Sequence, residues 1–500
     1  MTIPIVRAAG RQLLAALAAL VVPWPIHAQS TSPTAAVSAG QTLSLDDAIR
    51  LALTRGPAAR SAGFERDATR YRDRSFKARL LPQLSVAGDL PVYSRAIIPV
   101  VQPDGSTRFV PQQQRSSSLA MTVAQRLPLT GGDLFLSTGV SNVNILGQQN
   151  TNLWRGTPFQ IGVRQELFRT NALAWDTREQ DLRTDVAERQ YLEAREDIAQ
   201  RTSNLFFDVY AARATLANAE VNAAANDTLF RLNKGRFEVG RIGENDLLQS
   251  ELSVLRARAA LDGAKLAADR AAASLRVQLG LGADAPVELR VTNTVPQLTI
   301  DTAAVVKRAV ANASQTRGRQ LQEVQQRRRV SEARRNTGFG ATVNASVGFN
   351  QTAQSFNESF RSPLQSQQFS VGVEMPVVQW GARSAQIDAA RADLQRVQTD
   401  TRAALDNQVQ DALYAALGLS QAERQLEISA KADSVGAKRF EVARNRYSIG
   451  RIDFGNLAIA QTEKDQALQD YLRSLRGYWD AYYRLRSLTL WDFVRDVPLR

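Results

Sequence analysis

Two halves of this chain carry the same landmarks at one fixed spacing, and this duplication limits the possible folds more than any other feature. Phe159, Gly162 and Val163 recur as Phe369, Gly372 and Val373, each 210 residues further on. Phe230, Arg236, Gly240, Arg241, Ile242 and Leu247 recur as Phe440, Arg446, Gly450, Arg451, Ile452 and Leu457 at the same spacing of 210. Conservative pairs lie between them: Lys234 with Arg444, Phe237 with Tyr447, Val239 with Ile449. One offset shared by a segment of period two and by a helix-breaking glycine marks a repeated unit of helix, strands, long helix, glycine turn and helix.

Hydrophobic periodicity fills in the unit. The first repeat spans 43–282. Its opening helix runs from Ser44 to about Leu81, with Ser44 and Asp47 placed as a capping box and Leu45, Ala48, Ile49, Ala52 and Leu53 at helical spacing. Strands are predicted within 83–168. There Leu84, Val86, Gly88 and Leu90, then Leu119, Met121 and Val123, then Phe159, Ile161 and Val163 alternate with small or polar residues. A long helical hairpin follows over 170–280, and Leu248, Leu252, Leu255 and Ala259 trace a 4-3-4 seam in its second arm. A linker over 283–300 leads to the second repeat, 301–490. That repeat predicts a helix over 303–336, strands over 341–378 and a hairpin over 382–488 interrupted at Gly450, before a tail over 491–500. The strand region of the first repeat is about twice as long as that of the second. Leu134, Leu136 and Val140 near Gly131 and Gly132 either add a hairpin or lengthen the strands.

Composition narrows the chemistry. The chain of 500 residues has no cysteine and one histidine, His27. Residues 1–28 read as a signal peptide: Arg7 and Arg11 precede the apolar run Leu13 to Val22, and Ala28 closes a cleavage site. Residues 29–42 read as a flexible segment. The mature chain then lacks the residues of Ser-His-Asp and Cys-His sites and of almost every transition-metal site, so no enzyme, cofactor or metal is expected. The net charge of +13 suits nucleic acid or anionic lipid, and export across a membrane argues against nucleic acid. No other apolar run is long enough for a membrane helix, so a membrane-spanning form requires a closed β-barrel. The strands of one chain are too few to close one, so several copies must share it. The expected fold is therefore an α+β membrane protein: an outer-membrane β-barrel shared between copies, above a long α-helical coiled-coil tunnel, built from two internal repeats.

These residues resemble the TolC-like outer-membrane efflux protein family. The stretch Leu43 to Leu53 (LSLDDAIRLAL) looks like its opening helix. Arg236 to Ile242 (RFEVGRI) and Arg446 to Ile452 (RYSIGRI) look like its two hairpin tips. The resemblance implies a homotrimer with a twelve-stranded barrel in outer-membrane lipid and a periplasmic tunnel. Its tips would dock on a periplasmic adaptor, a membrane fusion protein bound to an inner-membrane pump, making a passive conduit for efflux or type I secretion. On this reading Val239, Gly240, Arg241, Ile242, Ile449, Gly450, Arg451 and Ile452 form the adaptor contacts. Asp246, Tyr447, Asp453 and Asn456 surround the tip aperture. Where family members often carry acidic residues six and nine positions after the second tip glycine, this chain has Asn456 and Ile459. The alternative is a soluble periplasmic coiled-coil or adaptor-type protein, with its strands packed on a core; a carboxylate-dependent hydrolase is a third. The basic helix 303–336 offers a solvated face or a cationic band. Trp154, Trp175, Trp380 and Tyr93 offer an interfacial belt or ordinary packing.

Overall fold

A computed structural model describes residues 42–146, 150–291, 295–296 and 298–499. The predicted signal peptide and nearly all of the following segment lie outside the described residues. Helix α1 (Leu45–Arg55) begins with the predicted capping box: the Ser44 hydroxyl accepts the Asp47 N–H, and the Asp47 carboxylate accepts the Ser44 N–H. The opening helix is not continuous. It breaks at Gly56, and α2 (Pro57–Ala78) starts afresh, because the residue before a proline is pushed out of the helical region. Gly56 is also the tight point of the packing. A β-carbon there would sit 2.8 Å from the Gln278 carbonyl oxygen.

Six strands follow in one antiparallel sheet: β1 (Gln83–Val101), β2 (Thr107–Arg126), β3 (Asp133–Leu146), β4 (Thr151–Leu167), β5 (Gly340–Ala353) and β6 (Leu364–Glu374), paired in that order. The sequence shows three alternating runs in the first strand region. The long first region in fact holds four of its own, so the added hairpin is real. Cross-strand register puts Leu84, Met121, Leu136, Ile161, Val347 and Phe369 on one face. Ser85, Thr122, Ser137, Gln160, Ser346 and Ser370 lie on the other. The apolar face is exposed rather than packed on a core. No described helix is long and apolar enough to cross a membrane. Aromatic residues flank the band. Trp154 meets Phe356 edge-on at 5.5 Å at the far end, while exposed Phe168, Phe339 and Trp380 sit where strands join helices. Trp175 lies in the first turn of the helix below, beside Arg178.

The helical layer contains α3 (Ala172–Glu238), α4 (Glu244–Leu279), α5 (Thr302–Asn312), α6 (Ser314–Arg335), α7 (Ala382–Ser448) and α8 (Phe454–Thr489). Each 67-residue helix is about 100 Å long. The long helices pack side by side in the order α4, α3, α8, α7. The short helices α1 and α5 lie across their upper part, where Ala48, Ala52, Val305 and Ala309 are buried with Phe206, Leu275, Leu419 and Tyr478 in the main core. The predicted helix 303–336 is also broken, at Ala313. There is no proline here. Glu193 on α3 holds the Ser314 N–H at 2.7 Å, and Arg189 donates to the Ala311 and Asn312 carbonyls. The basic residues of α6 are partly fasteners. Arg328 bridges Asp176 at 2.6 Å and Glu179 at 3.1 Å, and Arg317 reaches Asp185 at 3.0 Å, so this face is stapled to α3.

Below the sheet Arg486 stands in a largely buried charge cluster. Arg486 on α8 makes a two-pronged contact to Glu196 on α3 at 2.9 and 3.2 Å and reaches Asp492 at 3.2 Å, with Tyr482 and Tyr483 against its guanidinium. Removing one partner of such a group leaves buried charge without compensation. Arg486→Met is expected to destabilise the chain by about 3–5 kcal/mol, and replacing Glu196 and Asp492 with neutral residues as well should recover much of it. Thermal unfolding in detergent would check this; an unchanged midpoint for Arg486→Met contradicts it.

Candidate functional site: the two hairpin tips

At each tip a long helix must end and reverse within a few residues. Gly240 has φ +72° and Gly450 φ +73°. At the first tip the Gly240 N–H donates to the Phe237 carbonyl and the Arg241 N–H to the Arg236 carbonyl, both at 2.8 Å. At the second, Gly450 donates to Tyr447 at 3.0 Å and Arg451 to Arg446 at 2.9 Å. This paired pattern satisfies the last carbonyls of a helix and needs a left-handed residue after it. A β-carbon at either glycine would meet nothing within 4 Å, so backbone conformation alone selects glycine there.

The flanking side chains divide into two groups. Arg241 and Arg451 are exposed, and so are Val239 and Ile449, at 69% and 66%. Ile242 and Ile452 are half-buried, and Ile452 packs on the small core of Tyr447, Phe454 and Leu457. The aliphatic groups that project from the tips are therefore the ones before the glycines.

The four residues expected around an aperture are also separated. Asp453 is the N-cap of α8: its carboxylate accepts the Asn456 backbone N–H at 2.7 Å and the side-chain amide at 2.9 Å. The first tip has only Gly243 at the matching place, with no side-chain cap. Asp246 lies half-buried in the first turn of α4, where the helix dipole favours a carboxylate. Tyr447 is buried, 4% exposed. Its hydroxyl donates to Asn233 Oδ1 on α3, and its ring meets Phe454 edge-on at 5.8 Å. Arg236 lies over the same ring at 5.2 Å and donates to the Ser448 carbonyl at 3.0 Å. Tyr447 thus ties the first hairpin to the second. Its repeat partner, Phe237, has no hydroxyl and is exposed. Asn233 was not singled out from the sequence; the phenylalanine-to-tyrosine difference at 237 and 447 was the available signal.

Above the tips the two hairpins meet along a polar seam. Asn218 and Asn222 donate to Asp465 at 2.7 and 3.0 Å, Gln200 and Asn204 donate to Asp480 at 2.8 and 2.7 Å, and Gln469 reaches Thr215 at 2.8 Å. Burial pushes the Asp208 carboxyl up, with Arg476 opposing at 3.2 Å. Among the described residues no group of three or more His, Cys, Asp or Glu side chains is placed to hold a metal ion.

A sheet with one apolar face joined to paired 67-residue helices is the fold of the solved outer-membrane channels to which this chain is similar. Residues 110–281 match the family described as Outer membrane efflux protein. Solved structures agree across the chain. The Campylobacter jejuni CmeC outer membrane channel superposes with a TM-score of 0.65 at 14% identity, covering 89% of this chain and 85% of that one. The Vibrio cholerae outer membrane protein VceC gives 0.63 at 13%, covering 89% and 96%. The open state of the Neisseria gonorrhoeae MtrE outer membrane channel gives 0.60 at 15%, covering 89% and 88%. No curated protein sequence matches. The solved structures share the fold of this chain, and the family match over residues 110–281 agrees with it.

Proposed function

We propose that three copies of this chain form a passive export conduit whose helical part extends through the periplasm and whose tips dock on an adaptor joined to an inner-membrane pump. The observation that carries this reading is the duplicated tip. Both hairpins end in the same glycine-closed turn, and each offers an exposed arginine beside an exposed aliphatic side chain. Such a pair suits the tip of a partner's helical hairpin, and a trimer repeats it six times, so weak contacts add by avidity. The trimer itself is supported by the flanks. Leu248, Leu252 and Leu255 on α4, and Leu413, Leu417, Ile428 and Val435 on α7, are exposed in the single chain although they stand at seam spacing. The predicted 4-3-4 seam therefore faces away from its own hairpin, toward a neighbouring copy.

The chain has no cysteine, so single cysteines placed at Val239 or Ile449 report only the tips. Crosslinking in intact cells should yield species larger than the trimer alone; a trimer with no additional partner at either tip contradicts docking.

The Tyr447 junction supports a closed resting tip. Tyr447→Phe removes the hydroxyl and leaves Asn233 buried without its partner, a loss of about 1–3 kcal/mol at the junction. The expected outcome is a higher resting conductance of the purified channel in planar bilayers. Conductance equal to that of the natural chain would show that this junction does not hold the tips together.

A further inference from the structure

The two repeats differ in a way that changes the barrel. Helices α1 and α2 have the same lengths as α5 and α6, 11 and 22 residues, and start 257 residues before them. Strands β1 and β5 start at Gln83 and Gly340, the same 257 apart. Helices α3 and α4 match α7 and α8 in length, 67 and 36 residues, but at a spacing of 210. The difference between 257 and 210 is an insertion of 47 residues inside the first strand region. Because β1 corresponds to β5, and Phe159, Gly162 and Val163 on β4 correspond to their counterparts on β6, the inserted elements are β2 and β3.

These strands lie in the middle of the sheet, between β1 and β4. They carry the same alternation as the rest. Leu119, Met121 and Val123 on β2 and Leu134, Leu136 and Val140 on β3 continue the apolar face, while Ala120, Thr122, Ser137 and Gly139 continue the other. A hairpin lying outside the membrane wall has no need of this parity, nor of its match to both neighbours. The two outer edges stay open: among the described residues β1 pairs only with β2, and β6 only with β5. Within lipid each unpaired backbone group costs several kcal/mol, so both edges must be covered. Six alternating strands leave β1 and β6 running in opposite directions, so identical sheets continue antiparallel from copy to copy. An odd number would force a parallel junction. In the helical layer, too, the first repeat supplies one flank, α4, and the second the other, α7.

We infer that three copies close an eighteen-stranded barrel, with the β1 edge of each paired to the β6 edge of the next, and that the inserted β2–β3 hairpin widens it by half over the twelve strands the resemblance implied. This rests on the trimeric reading above. At about 4.8 Å between strands and a tilt of about 40°, eighteen strands enclose a barrel about 36 Å across, against about 24 Å for twelve. The outer-membrane section would then be wide enough to leave the selective constriction elsewhere in the conduit.

The test images the detergent-purified trimer by electron cryomicroscopy at strand-resolving detail and probes it with single cysteines. Eighteen wall strands are expected. Leu119→Cys and Met121→Cys in outer membranes should lose reaction with a water-soluble maleimide, whereas Thr122→Cys, facing the lumen, should keep it. A trimer with twelve wall strands, or equal labelling of residues 119, 121 and 122, overturns the inference and leaves the export reading standing. A particle that is not trimeric overturns both.

Discussion

Replacing Gly240 and Gly450 with valine and reversing Arg241 and Arg451 to glutamate should abolish export while the membrane-inserted trimer persists. The glycines sit at φ +72° and +73°, where a β-carbon costs roughly 1–2 kcal/mol and a branched one is held less readily still. Neither position is crowded, so the strain stays in the turn and does not propagate into the helices. The turn re-aims Val239 and Arg241, or Ile449 and Arg451, and charge reversal removes the cation that a partner would meet. The buried junction of Tyr447, Phe454 and Leu457 is left in place, as are the sheet and the helical flanks. A susceptibility or secretion assay run beside a quantitative blot of trimer in outer membranes checks this. Wild-type transport by the fourfold variant refutes docking at the tips. Loss of the trimer would instead make the glycines structural.

An arginine at Val371 should block assembly, and one at Ser370 should not. Val371 pairs with Val343 and lies on the face shared with Phe369, Val373 and Val347. A basic residue on the lipid face of a barrel costs up to about 2–4 kcal/mol in each copy, most at the midplane and less toward the rims. Ser370 lies on the opposite face beside Asn344, where water in the lumen solvates a charge. Gly372→Arg is a second lumen-side control, since a β-carbon there meets only the Thr342 carbonyl oxygen at 3.9 Å. The measurement is the amount of folded trimer in outer membranes. Equal tolerance at residues 370 and 371 would show that the apolar face does not meet lipid.

Local chemistry made much of this legible in the linear chain. The Ser44–Asp47 capping box, the glycine-terminated helices and the two-residue alternation each depend on residues within a few positions of one another, so spacing alone reveals them. The duplication carried the same information twice and placed both tips. Leu248, Leu252 and Leu255 were legible as a seam, because spacing records that a stripe is apolar. Which surface covers the stripe depends on how the helices are rotated against one another.

The sequence by itself determined the repeat, the element types, the alternating apolar and polar faces of the sheet, and the glycines that close the tips. Tertiary structure decided the rest. Ala313 ends a helix because Glu193 and Arg189, more than 100 positions earlier, capture the backbone on either side of it. Tyr447 is buried against the first hairpin because Asn233 there receives its hydroxyl. The extra hairpin became certain only when β2 and β3 paired in register with β1 and β4. In each case the deciding partner is distant in sequence, and no local period records a contact that exists only once the long helices and the sheet have closed on one another.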